Sequence, residues 1–183
     1  ALLDANPTFV AHPEAVGLMK EQQADQRALL LKLLKERFQG SEPWLPNRLV
    51  ADRLMLDLGQ ERIEILHVGA AHTAGDLAVW IPGERVLFSG DIIYTQRLPA
   101  VLPNSRTKNW LEAFARIESL RAKTIVPGHG APTTLAQARR DTRDYLAHLR
   151  AEAKRLFESG GGPTDAADRI DQSRWQQLEN FGE

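Results

Sequence analysis

The sequence predicts an α/β fold of layered sheet and helices, on three observations. Short runs of strand-like residues fill the stretch from Leu49 to Ile93, one more such run ends at Val126, and the segments around them carry helical periodicity. Functional-looking residues stand at the ends of those runs, and helices separate the later strands, an arrangement that suits sheet packed against helix. The chain has 183 residues, 43% of them hydrophobic, enough for one domain with a sizeable core.

Each element follows from local residues. Phe9-Val10-Ala11-His12-Pro13-Glu14 reads as a short strand emerging into a helix start. From Pro13 to Gly40 the pattern is helical: Val16, Met19, Leu29, Leu30, Leu33, Leu34 and Phe38 recur at spacings of three and four over their stretches, and Pro13 and Gly40 suit a start and a stop. Its middle, Lys20 to Arg27, is almost wholly polar, so the helix is expected to be a solvated one that covers the sheet, with an insertion flanking a site mouth as the other reading. Pro43, Pro46 and Asn47 mark an irregular connection. Leu54 to Leu58, Ile63 to His67, Leu77 to Ile81 and Val86 to Phe88 read as strands, the last two joined by a four-residue hairpin turn, Pro82-Gly83-Glu84-Arg85. A helix from about Lys108 to Leu120 leads to the strand Thr124-Ile125-Val126. A long amphipathic helix from Thr134 to Glu158, with Leu135, Thr142, Tyr145, Leu146, Leu149, Ala153, Leu156 and Phe157 on one stripe, ends at Gly160-Gly161-Gly162, and a final helix runs from Pro163 to Leu178.

Charge and composition exclude several classes. With 23 basic against 24 acidic residues there is no basic stripe for nucleic acid. No apolar run approaches a membrane span, nothing at the N-terminus has the layout of a signal peptide, and the expectation is a soluble protein with neither nucleic-acid nor membrane partner. The compartment, cytoplasmic or periplasmic, is left open. Zero cysteines rule out disulfides and thiolate-bound zinc, so any metal must be held by nitrogen and oxygen.

Three motifs carry the chemistry: His72-Thr-Ala-Gly-Asp76, Ser89-Gly90-Asp91 and Pro127-Gly128-His129-Gly130, each after a strand. Ala74 and Gly75 are small enough to let the loop after His72 pack its backbone close to a metal. Gly90 permits a sharp exit that turns Asp91 inward, and an unpaired inward carboxylate calls for a cation. His129 sits between two glycines after Pro127. His72, Asp91 and His129 are therefore the candidate metal ligands. Among the other candidates, Asp76 is read as orienting His72 or capping its loop, His67 as a core or surface imidazole, His12 as a surface or capping histidine and His148 as solvent-facing. Tyr94, Arg97 and Trp110 flank the loop after Asp91 as candidates for meeting substrate.

The three motifs, in this order and at about these separations, resemble the second half of the metallo-β-lactamase superfamily pattern, over most of the chain from Leu49 to Glu158. The run from His72 to Asp91 is similar to hydrolase-like members associated with quinoprotein or sulfur-oxidation systems, while aspartate at position 76 departs from the histidine of glyoxalase II-type members. His-x-His-x-Asp-His, which opens the family's metal site, is missing. The resemblance implies the C-terminal portion of an αββα sandwich with its N-terminal sheet missing: a single partial domain over 1–183, with a strand and helical insertion at 1–48, strands and metal-site loops at 49–130, and C-terminal helices at 131–183.

It further implies a hydrolase with two metal ions, commonly zinc, His72 serving one, His129 the other and Asp91 bridging them, acting on an ester, thioester, amide or related bond of a small-molecule substrate. The alternatives are an iron-dependent oxidoreductase of the same fold and a non-catalytic binding or assembly module. The chain alone is expected to bind metal weakly and to be inactive. It is also expected to expose an apolar sheet face and to form a homo-oligomer or domain-exchanged dimer, with the 13–40 helix as the covering element.

Overall fold

A computed structural model describes residues 7–181. In chain order the elements are β1 (Val10–Ala11), α1 (Pro13–Leu34), β2 (Arg48–Leu49), β3 (Arg53–Asp57), β4 (Arg62–His67), β5 (Leu77–Ile81), β6 (Val86–Tyr94), α2 (Thr107–Ser119), β7 (Thr124–His129), α3 (Leu135–Ala138), α4 (Asp144–Glu158) and α5 (Pro163–Arg169). The predicted α/β class is what the chain adopts.

Strands β3 to β7 form one sheet in sequence order. The first four run antiparallel as a meander, and β7 joins parallel to β6 after crossing over through α2. Pairing in register puts alternate residues on opposite faces. On one face Trp80, Leu87 and Ile125 stand in line and pack against Trp110, Ala113, Phe114 and Ile117 of α2 and Tyr145 and Leu146 of α4. Across the other face Leu54, Ile65, Val79, Phe88 and Val126 stand in line, and none of them is buried. Leu54, Ile65, Val79 and Val126 are half-buried and Phe88 is exposed, so this face is partly open rather than bare.

The structure differs from expectation at four places. Strand β6 continues through Asp91 to Tyr94, because Gly90 (φ +52°) absorbs a register shift against β7 and pairing resumes beyond it. The helix predicted over 134–158 is divided by a π turn, Arg139–Arg143, which turns Asp141 and Thr142 into the core. The helix predicted to Leu178 stops at Arg169: Ile170 is extended, and the Asp171 carboxylate accepts from the Ser173 N–H at 2.9 Å, an Asx turn that breaks it before a short 3₁₀ turn, Ser173–Trp175. Last, the helix predicted over 13–40 ends at Leu34, where Lys35 (φ +50°) breaks it before a 3₁₀ turn, Lys35–Phe38, and α1 does not cover the sheet. It is the crossover between the parallel pair β1 and β2 and has no buried residue.

Candidate metal centre

The three predicted ligands come together at one end of the sheet. His72 leaves the loop between β4 and β5, Asp91 sits in β6 just past the Gly90 bend, and His129 ends β7. His72 Nε2 lies 3.6 Å from Asp91 Oδ2, and His129 Nε2 lies 3.7 Å from Asp91 Oδ1. Each imidazole faces a different oxygen of the carboxylate. The side chain of His72 is 12% exposed, those of Asp91 and His129 34% and 40%, so the centre is open on the His129 side.

Glycine makes this approach possible. A Cβ at Gly128 would fall 2.0 Å from Asp91 Oδ1, and at Gly130 (φ +97°) 2.0 Å from the carbonyl oxygen of Thr95. Only a chain without side chains at these two places can bring β7 so close to β6. Gly75 has another use than expected: its missing Cβ makes room for Ala15 at the start of α1.

Proton placement decides what the centre can hold. His72 Nδ1 lies 2.9 Å from the Ala100 carbonyl, which can only accept, so the proton sits on Nδ1 and Nε2 presents a lone pair toward Asp91. A lone pair and a carboxylate oxygen facing each other need a cation or a proton between them. Gaps of 3.6 and 3.7 Å are wide enough for an ion bonded to both facing atoms at about 2 Å. The donor set thus fits a divalent ion on either side of Asp91. No group of three His, Asp or Glu side chains among the described residues is placed to hold a single ion.

Tyr94 completes the surround. Its hydroxyl donates to Asp91 Oδ2 at 3.0 Å, and its ring stacks on His129 with centroids 4.8 Å apart. Burial, and then the neighbouring Asp91 carboxylate, hold the phenol well above its ordinary pKa, so it remains a donor. Thr142 of the π turn grips the Tyr94 backbone on both sides, accepting from its N–H at 2.9 Å and donating to its carbonyl at 2.6 Å, while Asp141 accepts from the Gln96 N–H. Ser105 donates to the His72 carbonyl at 2.7 Å, latching the 100–106 loop over it. The backbone partner of His72 and the grip of Thr142 were missed in the sequence; nothing in residue identity marks a carbonyl at Ala100 as an orienting group.

The remaining candidates separate. Trp110 is wholly buried and donates from Nε1 to the Ile92 carbonyl, so it is core, not a substrate contact. Arg97 pairs by its backbone with Glu179. Asp76 caps the loop, accepting from the Thr73 N–H and hydroxyl, and leaves the orientation of His72 to Ala100. His12 is the helix cap, accepting from the Glu14 N–H, and stacks on His67, whose Nδ1 donates to the Asp76 carbonyl. His148 is tied to the Asp171 carbonyl at 2.7 Å.

Comparison with known proteins shows the family. A family model for the metallo-beta-lactamase superfamily matches residues 5–129. The chain belongs to this superfamily. Metallo-beta-lactamase superfamily members generally bind metal ions, usually zinc. Among similar proteins are the 2,4-dinitroanisole O-demethylase subunit alpha of Nocardioides sp. (strain JS1661), 27% identical over 78 residues, which are 43% of this chain and 24% of that protein, and the acyl-coenzyme A thioesterase MBLAC2 of Gallus gallus, 25% identical over 91 residues, 48% of this chain and 32% of that protein. The chain thus spans a quarter to a third of the length of these two relatives. The fold is shared with the stereoselective inverting sec-alkylsulfatase Pisa1 from Pseudomonas sp., with a TM-score of 0.57 at 17% identity over 69% of this chain and 22% of that one.

Proposed function

We propose that the protein is a metal-dependent hydrolase acting on an ester, thioester, amide or related bond of a small-molecule substrate. The observation that carries this reading is the Asp91 carboxylate with one oxygen toward each of two imidazoles, His72 and His129. In this reading His72, Asp91 and His129 would hold the zinc, His72 and His129 on opposite sides of Asp91. Bound zinc would supply a hydroxide at neutral pH and polarise the scissile group. The chain's own contribution is orientation: the Ala100 carbonyl sets the His72 tautomer, Tyr94 fixes Asp91 by one oxygen, and Gly128 lets the carboxylate sit against β7. The similar thioesterase supports the acyl end of the substrate range. We further infer that 49–130 is the part that carries the metal-site loops, with 1–48 and 131–183 as flanking units.

Within this chain each ion would find two protein ligands, where catalytic zinc uses about three. The chain by itself therefore binds zinc weakly and turns over little. Titration of zinc against the ring signals of the five histidines tests this. The expected result is weak, saturable perturbation of His72 and His129, lost in Asp91→Asn, with His12, His67 and His148 unmoved. Tight stoichiometric binding, or ester turnover lost in His129→Ala, would show a complete centre within the chain. Iron rather than zinc in the protein isolated from cells would replace hydrolysis with the oxidoreductase reading.

A further inference from the structure

We propose that the cleft between α1 and the loop 100–106 is the acyl-chain pocket of the candidate centre, which makes the substrate an ester or thioester of a fatty acid; this rests on the hydrolase reading above. Three elements meet there. The first turns of α1 press onto the loop that carries His72, so closely that a Cβ at Gly75 would fall 2.5 Å from the Ala15 backbone nitrogen. The 100–106 loop is tied to that same loop at both ends. The Ala100 carbonyl accepts from His72 Nδ1 at 2.9 Å, the Ser105 hydroxyl donates to the His72 carbonyl at 2.7 Å, and the Arg106 N–H donates to the Ala71 carbonyl at 3.0 Å. Between these ties Leu102 and Pro103 line, with Ala15, Leu18 and Met19, a cleft of about 490 Å³ that reaches Thr73, the residue after His72.

The lining selects the ligand. Apart from Gln22, Thr73 and Asn104, all neutral, the cleft is walled by apolar side chains, and no charged side chain lines it among the described residues. Met19 and Leu102 are each 41% exposed, so its walls stand open to water. A carboxylate or ammonium entering it would lose water and find no countercharge, whereas methylene groups gain by leaving water. The part of a substrate that lies beside His72 on this side is therefore uncharged and apolar.

The apolar path continues away from the centre. A second cleft, of about 280 Å³ between α1 and the returning segment 38–45, shares Met19 with the first and is lined further along by Leu30, Phe38, Trp44 and Leu45. Its two charged residues, Arg27 and Glu42, pair with each other at 3.8 Å. Ala15, Leu18, Met19 and Gln22, and then Met19, Gln23, Gln26 and Leu30, follow spacings of three and four, so the two clefts run along adjoining stripes of one side of the helix. From Ala15 to Leu30 α1 rises about 22 Å, room for a long aliphatic chain laid outward from Thr73. Hydrolysis of such a substrate forms a C–O bond from water to the acyl carbon and breaks its bond to the alcohol oxygen or thiol sulfur. The fatty carboxylate stays with its chain in the trough, and the alcohol or thiol leaves together with one proton.

Dodecanoate, the acid that such a substrate leaves, tests the proposal without turnover. The chain has two methionines, Met19 in the cleft and Met55 on β3, whose methyl signals report separately. The expected result is a saturable shift at Met19 with Met55 unmoved. Binding should be about tenfold or more tighter than that of hexanoate, since each added methylene leaves water, and about tenfold or more weaker in Leu18→Asp or Leu102→Asp. Leu33→Asp, at a leucine 65% exposed and outside both clefts, should bind as the parent chain does. Circular dichroism confirms that each variant is folded. No response at Met19 overturns the proposal. So does a matching shift at Met55, which would mean adsorption on the sheet, or a loss in Leu33→Asp, which would mean adsorption on the exposed leucines. Zinc titration of His72 and His129 in the same samples separates the two readings. A zinc response without a Met19 response overturns the acyl chain and leaves a hydrolase of other substrates, whereas a Met19 response without a zinc response upholds the fatty-chain site and removes hydrolysis.

Discussion

A methyl group at Gly128 would lie 2.0 Å from Asp91 Oδ1 and 2.7 Å from the Asp91 backbone nitrogen, so the tightest constraint on the centre is at a residue with no chemistry of its own. Gly128→Ala must push β7 off β6 or swing the carboxylate away. It should cost about 1–3 kcal/mol in urea unfolding, as overpacking does, and should erase the zinc response of the His129 ring signals. Tyr94→Phe is the gentler change. The ring keeps its stack on His129 and only the hydroxyl to Asp91 goes, for a loss of about 1 kcal/mol in the same measurement. His72, Asp91 and His129 were legible because motif and spacing announce side-chain ligands. The Ala100 carbonyl and Thr142 were not: one is backbone, and the other reaches Tyr94 only because a π turn rotates it inward, a geometry that helical periodicity does not encode.

At the scale of elements, α1 shows how a helix can be legible while its place is not. Pro13 and the leucine spacing foretold its existence, but covering the sheet requires a continuous apolar stripe, and the polar stretch from Lys20 to Arg27 interrupts it. What fixes the helix is its base. His12 Nδ1 accepts from the Glu14 N–H at 3.2 Å, its Nε2 lies 3.2 Å from the Ala51 carbonyl, and its ring stacks on His67 at 3.9 Å. Burial, and then the charge of His67, lower the pKa of His12 below 6.5, against smaller opposing contributions from the Ala51 carbonyl and Glu14. The folded state therefore binds fewer protons at His12 than the unfolded chain, so stability rises with pH through this window. The contribution of the neutral cap is full above the unfolded value and is lost as pH falls through the lower folded value, since a proton on Nδ1 removes the acceptor. Urea unfolding between about pH 7 and pH 5 should show this slope, and His12→Asn, a cap that does not titrate, should flatten it. An unchanged slope would remove His12 as its source.

The whole molecule is a sheet with two unlike faces, and alternation in the sequence revealed both without saying which one its own helices cover. Leu87 and Phe88 are neighbours in β6, yet Leu87 is wholly buried against the helical layer while Phe88 is 42% exposed between Val79 and Val126. Hydrophobicity ranks them alike; only the positions of α2 and α4 separate them. Helix α2 lands on the Leu87 side because Trp110, Ala113, Phe114 and Ile117 form a single stripe, and that stripe can be satisfied on one face alone. The difference is measurable in this chain. Leu87→Ala leaves a cavity in a closed layer and should cost about 2–5 kcal/mol in urea unfolding. Phe88→Ala removes a larger side chain but one already half in water, backed only by its in-register neighbours, and should cost about 1 kcal/mol, well short of the loss for a buried phenylalanine. A loss at Phe88 as large as that at Leu87 would mean that its face of the sheet is covered in solution, and the concentration dependence of that loss would then tell whether a second molecule does the covering.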